Sequence, residues 1–171
     1  MTAKAWPSGA ADESLRRLKE GNARFVSGHA RFPTVQKEVL AELAKGQQPH
    51  TTVLGCSDSR VPPELVFDAG FGELFVVRVA GNVLGPSILG TLQFAATHLH
   101  TPLFVVMGHE GCGAVNAAID WNFHGAAHKR RIAICWKISC PPSTTSMGGS
   151  LARCCCTGRL RRTCVVWSRN S

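Results

Sequence analysis

A chain of 171 residues is long enough to bury one hydrophobic core and too short for two comfortable domains. No run approaches the roughly 20 apolar residues that cross a bilayer, and Met1 to Leu15 lacks an apolar h-region, so a cytoplasmic chain with no membrane partner is expected. The net charge of +8 would suggest nucleic acid, but residues 1–120 carry ten Lys or Arg against eleven Asp or Glu, whereas 121–171 carry nine Lys or Arg and no acid. The basic balance therefore belongs to the tail, and no nucleic-acid partner is expected.

In chain order, Ser14 to Val26 reads as an amphipathic helix with Leu15, Leu18 and Phe25 near one face. Val35 to Lys45 reads as a second short helix closed by Gly46. Thr51 to Leu54 is β-branched and apolar, ends at Gly55, and reads as a buried parallel strand. Pro62-Pro63-Glu64 suits the first turn of a short helix, since Pro is tolerated there and Glu complements the dipole.

Leu74 to Val79 and Leu103 to Met107 read as further strands. Between them, Ile88, Leu92, Ala95 and Leu99 recur at helical spacing, which makes Ser87 to Leu99 a crossover helix. Ala114 to about Phe123 reads as another helix, with its first amides turned toward Cys112 and favouring thiolate there. The expected fold class is α/β, a parallel sheet core with flanking helices, with binding groups gathered beyond the carboxyl ends of the strands.

Two short runs carry the chemistry: Gly55-Cys56-Ser57-Asp58-Ser59-Arg60 and Gly108-His109-Glu110-Gly111-Cys112-Gly113. Two Cys and one His suit Zn²⁺, and three protein ligands leave a fourth position for water or for Asp58. Cys56 lies 53 residues before His109, far beyond the spacing of a zinc knuckle, so the fold has to assemble the site. The plainer alternatives are buried structural thiols at Cys56 and Cys112 and an ordinary ion pair between Asp58 and Arg60. His29, His50, His98, His100, His124 and His128 lack ligand spacing with one another and are assigned no chemistry.

The two linked motifs resemble those of the β-class carbonic anhydrases, and the likeness runs from about Ser14 to about His128. Leu15, Leu18, Gly21, Asn22, Arg24 and Phe25 match that family's first helix, and Phe75-Val76-Val77-Arg78-Val79-Ala80-Gly81-Asn82 its second-strand segment. The resemblance implies reversible hydration of CO₂ to bicarbonate at one Zn²⁺ per chain, held by Cys56, His109 and Cys112. It implies that Arg60 holds Asp58 so that one carboxylate oxygen orients the attacking water. When that pair breaks, Asp58 can itself become a zinc ligand and close the site.

The resemblance further implies that Gln47 and Phe75 reach the substrate of a neighbouring subunit, that Gly113 lies beside the substrate, and that the protein works as a homodimer or tetramer. Gln47 could equally be a solvated loop residue. Other readings of the chain are a zinc-stabilised binding protein closed by Asp58, a hydrolase of carbonyl sulfide or carbon disulfide with the same ligands, and a nucleic-acid module in the basic tail.

Past about Arg131 the periodic patterns stop, and six cysteines, Cys135, Cys140, Cys154, Cys155, Cys156 and Cys164, crowd the remainder. Arg153 to Arg159 shows neither heptad, alternation nor metal spacing. The expected division is a zinc domain over 1–130 and an irregular, disordered basic tail over 131–171. A change of reading frame near residues 129–134 is its simplest account, and the sheet is expected to lack an edge strand.

Overall fold

A computed structural model of the chain describes residues 8–31, 37–127 and 132, together with the backbone of 164–167. Helix α1 spans Ala10–Val26, one turn earlier than its apolar spacing predicts. Asp12 and Glu13 occupy its first turn and Arg24 its last, each complementing the helix dipole. Arg16 adds ion pairs to Glu13 at 2.7 Å and Glu20 at 2.5 Å, one turn away on either side. Helix α2 (Lys37–Leu43) is shorter than expected at its C-terminal end, and the predicted start at Val35 lies outside the described residues.

Three strands follow at β1 (Thr51–Gly55), β2 (Leu74–Arg78) and β3 (Leu103–His109). Between β1 and β2, Pro62 caps the four-residue helix α3 (Pro63–Val66) in extended backbone and Pro63 opens it, as Pro at a first helical position allows. The crossover from β2 to β3 is not one continuous α-helix: α4 (Pro86–Phe94) gives way to a wider π-type turn over Ala95–Leu99, ended by His100 at a φ of 53°. Helix α5 spans Gly113–Phe123.

All pairings are parallel, and the sheet order is β2-β1-β3-β4, with β4 at Cys164–Trp167. Helical crossovers and a parallel sheet make this the α/β fold expected. Central β1 is buried along its whole length, which explains why it reads as a β-branched and apolar run without alternation. Strand β3 alternates instead: Leu103, Val105 and Met107 face the core with Val53, under Leu18, Val61, Val66 and Phe67. Each such buried side chain contributes about 1.5–3 kcal/mol by leaving water.

Within the tail expected to be irregular, β4 stands at the sheet edge expected to lack a strand, pairing Val106 with Cys164 and His109 with Trp167. Cys164-Val165-Val166-Trp167 is a β-branched and aromatic run, so it suits a strand although Arg153 to Arg159 before it does not. Apart from 132 and 164–167, the expectation of disorder over 131–171 concerns residues outside those described.

Two contacts fix α1 against the loop after α3. At Gly21 a Cβ would stand 1.8 Å from the Phe67 carbonyl oxygen, so only glycine permits the crossing. Asn22 Nδ2 donates to the Val66 carbonyl at 3.0 Å. Alongside them, Asp68 has a side chain only 1% exposed and accepts from Arg24 Nε, the Arg31 backbone amide at 2.8 Å and Arg31 Nε at 3.0 Å. This anchors the end of α1 to the segment after α3, while its Leu18 packs on the sheet.

Candidate metal centre

Strands β1 and β3 lie side by side with Gly55 opposite Met107, so Cys56 leaves one strand where His109 ends its neighbour. His109 is thus the last strand residue, and the predicted strand end at Met107 falls two residues short. Cys112 caps α5, which brings the third group back over the same sheet end. Both thiols are buried and free. The possible ligand atoms of Cys56, His109 and Cys112 lie within 4.8 Å of one another.

The residues fit a zinc ion on two counts. Cys56 Sγ and Cys112 Sγ stand 3.8 Å apart, well beyond a disulfide bond and equal to the separation, about 3.8 Å, of two sulfurs bound at about 2.3 Å with a tetrahedral angle. The His109 ring is 3% exposed. Its Nδ1 can donate to the Glu110 carbonyl at 3.1 Å, which leaves the Nε2 lone pair buried and without a protein partner among the described residues. Burying such an atom without compensation is costly, and a cation bound by these three residues would supply the compensation.

Burial pushes the Cys112 thiol up, against the amides of Val115 and Ala114, while nearby Cys56 pushes it further the same way. The expectation that the α5 amides favour thiolate holds in direction only, because desolvation outweighs them. A divalent cation reverses that balance, since a coordinating thiol is deprotonated.

Asp58 and Arg60 form a fork beside the cluster. Arg60 Nε donates to Asp58 Oδ1 at 2.9 Å and Nη2 to Oδ2 at 2.8 Å, with the Arg60 backbone amide adding a bond to Oδ1 at 3.0 Å. The same Nη2 donates to the Gly111 carbonyl at 3.1 Å, tying the Cys56 loop to the Cys112 loop. Arg60 holds the Asp58 carboxyl well below the usual carboxylate range. Asp58 Oδ2 lies 3.9 Å from His109 Nε2, near the cluster but paired with Arg60. In this structure both Asp58 carboxylate oxygens are therefore engaged by Arg60.

Residues whose roles sequence reasoning missed complete the surroundings. Arg78 Nε donates to the Cys56 carbonyl at 2.9 Å and Nη2 to the Asp58 carbonyl at 2.5 Å. The Gly81 amide donates to Cys56 Sγ at 3.4 Å, and Asn82 Nδ2 to the Met107 carbonyl at 2.9 Å. An Arg at a strand end and a Gly-Asn pair after it were the available signals.

Gly113 opens α5 next to Cys112 and is exposed. Gln47 and Phe75 are not brought to the cluster within one chain. Gln47 precedes β1 whereas Cys56 follows it, a separation of about 16 Å along the strand at about 3.3 Å per residue. It lines a groove of ≈ 550 Å³ with Leu43, His50 and Phe71 at the opposite end of the sheet. Phe75 pairs with Thr52 in that same half, its ring 6.3 Å from Phe94. No helix among the described residues is long and apolar enough to cross a membrane.

A family model described as carbonic anhydrase matches residues 51–143, running past the boundary expected near residue 130. Carbonic anhydrase 2 of Mycobacterium tuberculosis is 50% identical over 104 residues, which are 61% of this chain and 50% of that protein. The carbonic anhydrase of Mycolicibacterium smegmatis is 48% identical over 105 residues, 61% of this chain and 51% of that one. The chain therefore spans about half the length of the curated relatives it matches. Among solved structures, the β-carbonic anhydrase CafA of Aspergillus fumigatus superposes with a TM-score of 0.53 at 30% identity, covering 73% of this chain and 56% of that one.

Proposed function

The chain belongs to the β-class carbonic anhydrase family, and from that premise we propose that it catalyses the reversible hydration of CO₂ to bicarbonate and a proton, with one Zn²⁺ per chain held by Cys56, His109 and Cys112. The observation that carries this reading is the convergence, within 4.8 Å, of two sulfurs and a buried imidazole nitrogen that has no hydrogen-bond partner among the described residues. A zinc ion held there supplies the Lewis acidity that lets water act as a nucleophile near neutral pH.

The chain's own residues do the positioning. Asp58, locked by Arg60, presents Oδ2 toward the cluster, where it can accept a hydrogen bond from the attacking water and aim its lone pair at carbon. The Asp58 side chain is about one-fifth exposed, so the released proton has a route to solvent on that side. Gly113, beside Cys112, leaves room for a small substrate.

Gln47 and Phe75 belong to the substrate pocket only if a second copy supplies them, which makes the homodimer or tetramer part of this reading. Phe71 at 61% exposure, Phe94 at 45% and Phe123 at 66% give the chain apolar surface to bury in such an assembly. The zinc domain over 1–130, the aberrant basic tail after it and a cytoplasmic address without nucleic-acid partner stand with the same reading. The paired Asp58 disfavours a zinc protein closed by that carboxylate, and relatives at 48–50% identity named as carbonic anhydrases favour hydration over hydrolysis of carbonyl sulfide or carbon disulfide.

Stopped-flow CO₂ hydration with zinc analysis on the same sample tests the proposal, with Cys56→Ser as control. Turnover that tracks zinc content and disappears in the variant is expected. Zinc bound without turnover at alkaline pH would overturn it.

A further inference from the structure

The turn that follows β2 touches the carboxyl ends of both ligand-bearing strands. The Val79 amide donates to the Gly55 carbonyl at 3.1 Å, the Gly81 amide to Cys56 Sγ at 3.4 Å, and Asn82 Nδ2 to the Met107 carbonyl at 2.9 Å. Two consecutive residues of this turn are left-handed, Gly81 at a φ of 66° and Asn82 at 56°. That backbone is what turns the Gly81 amide back onto the sulfur. Glycine adopts it freely and Asn is among the few other residues that tolerate it. Space is tight as well, since a Cβ on Gly81 would stand 3.2 Å from Ala114 Cβ.

We propose that Asn82 is a positioning residue for the metal centre: its side-chain amide clamps the turn to β3, two residues before His109, so that the Gly81 N–H is held on the Cys56 sulfur. The inference rests on the reading of Cys56, His109 and Cys112 as metal ligands. A hydrogen bond donated to a ligating sulfur stabilises its negative charge and fixes its lone-pair direction, the outer-shell contribution that commonly governs metal affinity. The Met107 carbonyl can only accept, which fixes Nδ2 as the amide atom facing it. If Asn82 were a purely structural clamp, its loss would lower stability without reaching the metal.

Asn82→Gly separates the two roles, because glycine keeps the left-handed backbone without strain while deleting the amide. Zinc competition against a chromophoric chelator should show affinity ten- to a hundredfold weaker, and the cobalt-substituted variant should show a displaced sulfur-to-cobalt charge-transfer band. Asn22→Ala, which removes a comparable amide-to-carbonyl bond remote from the site, should lower Tm and leave both readouts unchanged. The wild-type protein loaded with ¹¹³Cd gives a check that needs no variant: NMR should detect scalar coupling from the metal to the Gly81 amide proton as well as to the β protons of Cys56 and Cys112. Unchanged zinc affinity and cobalt band in Asn82→Gly, or coupling to the cysteine protons without coupling to Gly81, overturns the inference alone. Absence of coupling to the cysteine protons overturns the metal reading, and this inference with it.

Discussion

Arg60 grips both carboxylate oxygens of Asp58 and uses the same Nη2 to hold the Gly111 carbonyl, so one guanidinium couples the two loops that carry the thiols. Replacing it by lysine removes the planar fork while keeping a charge, and the ammonium cannot reproduce three directed bonds. Arg60→Lys and Arg60→Ala should both lower kcat/KM by about tenfold to a hundredfold, with Lys rescuing little. Stopped-flow hydration with zinc analysis checks this, and full activity in Arg60→Lys would show that charge alone suffices.

Metal retention should depend on pH through Cys112. Burial raises its thiol above the ordinary value, and the ligand form is the thiolate, so protons compete with the ion throughout the range below that raised value. Affinity should climb with pH by at least about tenfold per unit in this range, since one proton or more leaves as the ion binds. Chelator competition between pH 6 and pH 8 reads the slope, and a flat profile would argue against thiolate ligation.

Asp68 should set the acid limit of the fold. Burial acts to raise its pKa, but the bonds from Arg24 and Arg31 together outweigh it, and the net displacement is downward. A depressed carboxylate contributes stability fully present above its unfolded pKa of roughly 4 and lost as pH falls through its lower folded value. Asp68→Asn should therefore lose about 2 kcal/mol at neutral pH and show a shallower acid transition in urea titrations from pH 7 to pH 3.

Gly21 should tolerate no side chain. The added methyl of Gly21→Ala would stand 1.8 Å from the Phe67 carbonyl oxygen, which is backbone and cannot step aside. Helix α1 must lift from α3 and loosen the packing of Leu18, at a cost of about 3 kcal/mol. Denaturant unfolding measures it, and a loss below about 0.5 kcal/mol would mean that the crossing is looser than described.

The basic tail carries its own test at the level of the gene. If a frame change near residues 129–134 produced it, shifting the frame by one nucleotide after codon 131 should restore a helical, acid-containing sequence. Failure of both other frames to do so would contradict that origin.

What the sequence made legible was local or chemical. The five buried residues of β1, the prolines opening α3 and the two ligand runs all announce themselves through residue type and spacing. The softer boundaries were set by contacts between distant segments. His109 falls within β3 because the pairing with β4 continues for two residues past Met107. Ala95–Leu99 leaves the α-helical path although its apolar spacing does not change there. The bond from Gly81 to Cys56 was invisible because it depends on backbone direction at a left-handed pair of residues.

The account stands on one divalent ion shared by Cys56, His109 and Cys112. Zinc K-edge X-ray absorption on protein purified without chelators addresses that most directly. It should show about one zinc per chain with two sulfur neighbours near 2.3 Å and nitrogen or oxygen near 2.0–2.1 Å. A spectrum with only oxygen and nitrogen neighbours, or protein that holds no stoichiometric metal, would contradict it.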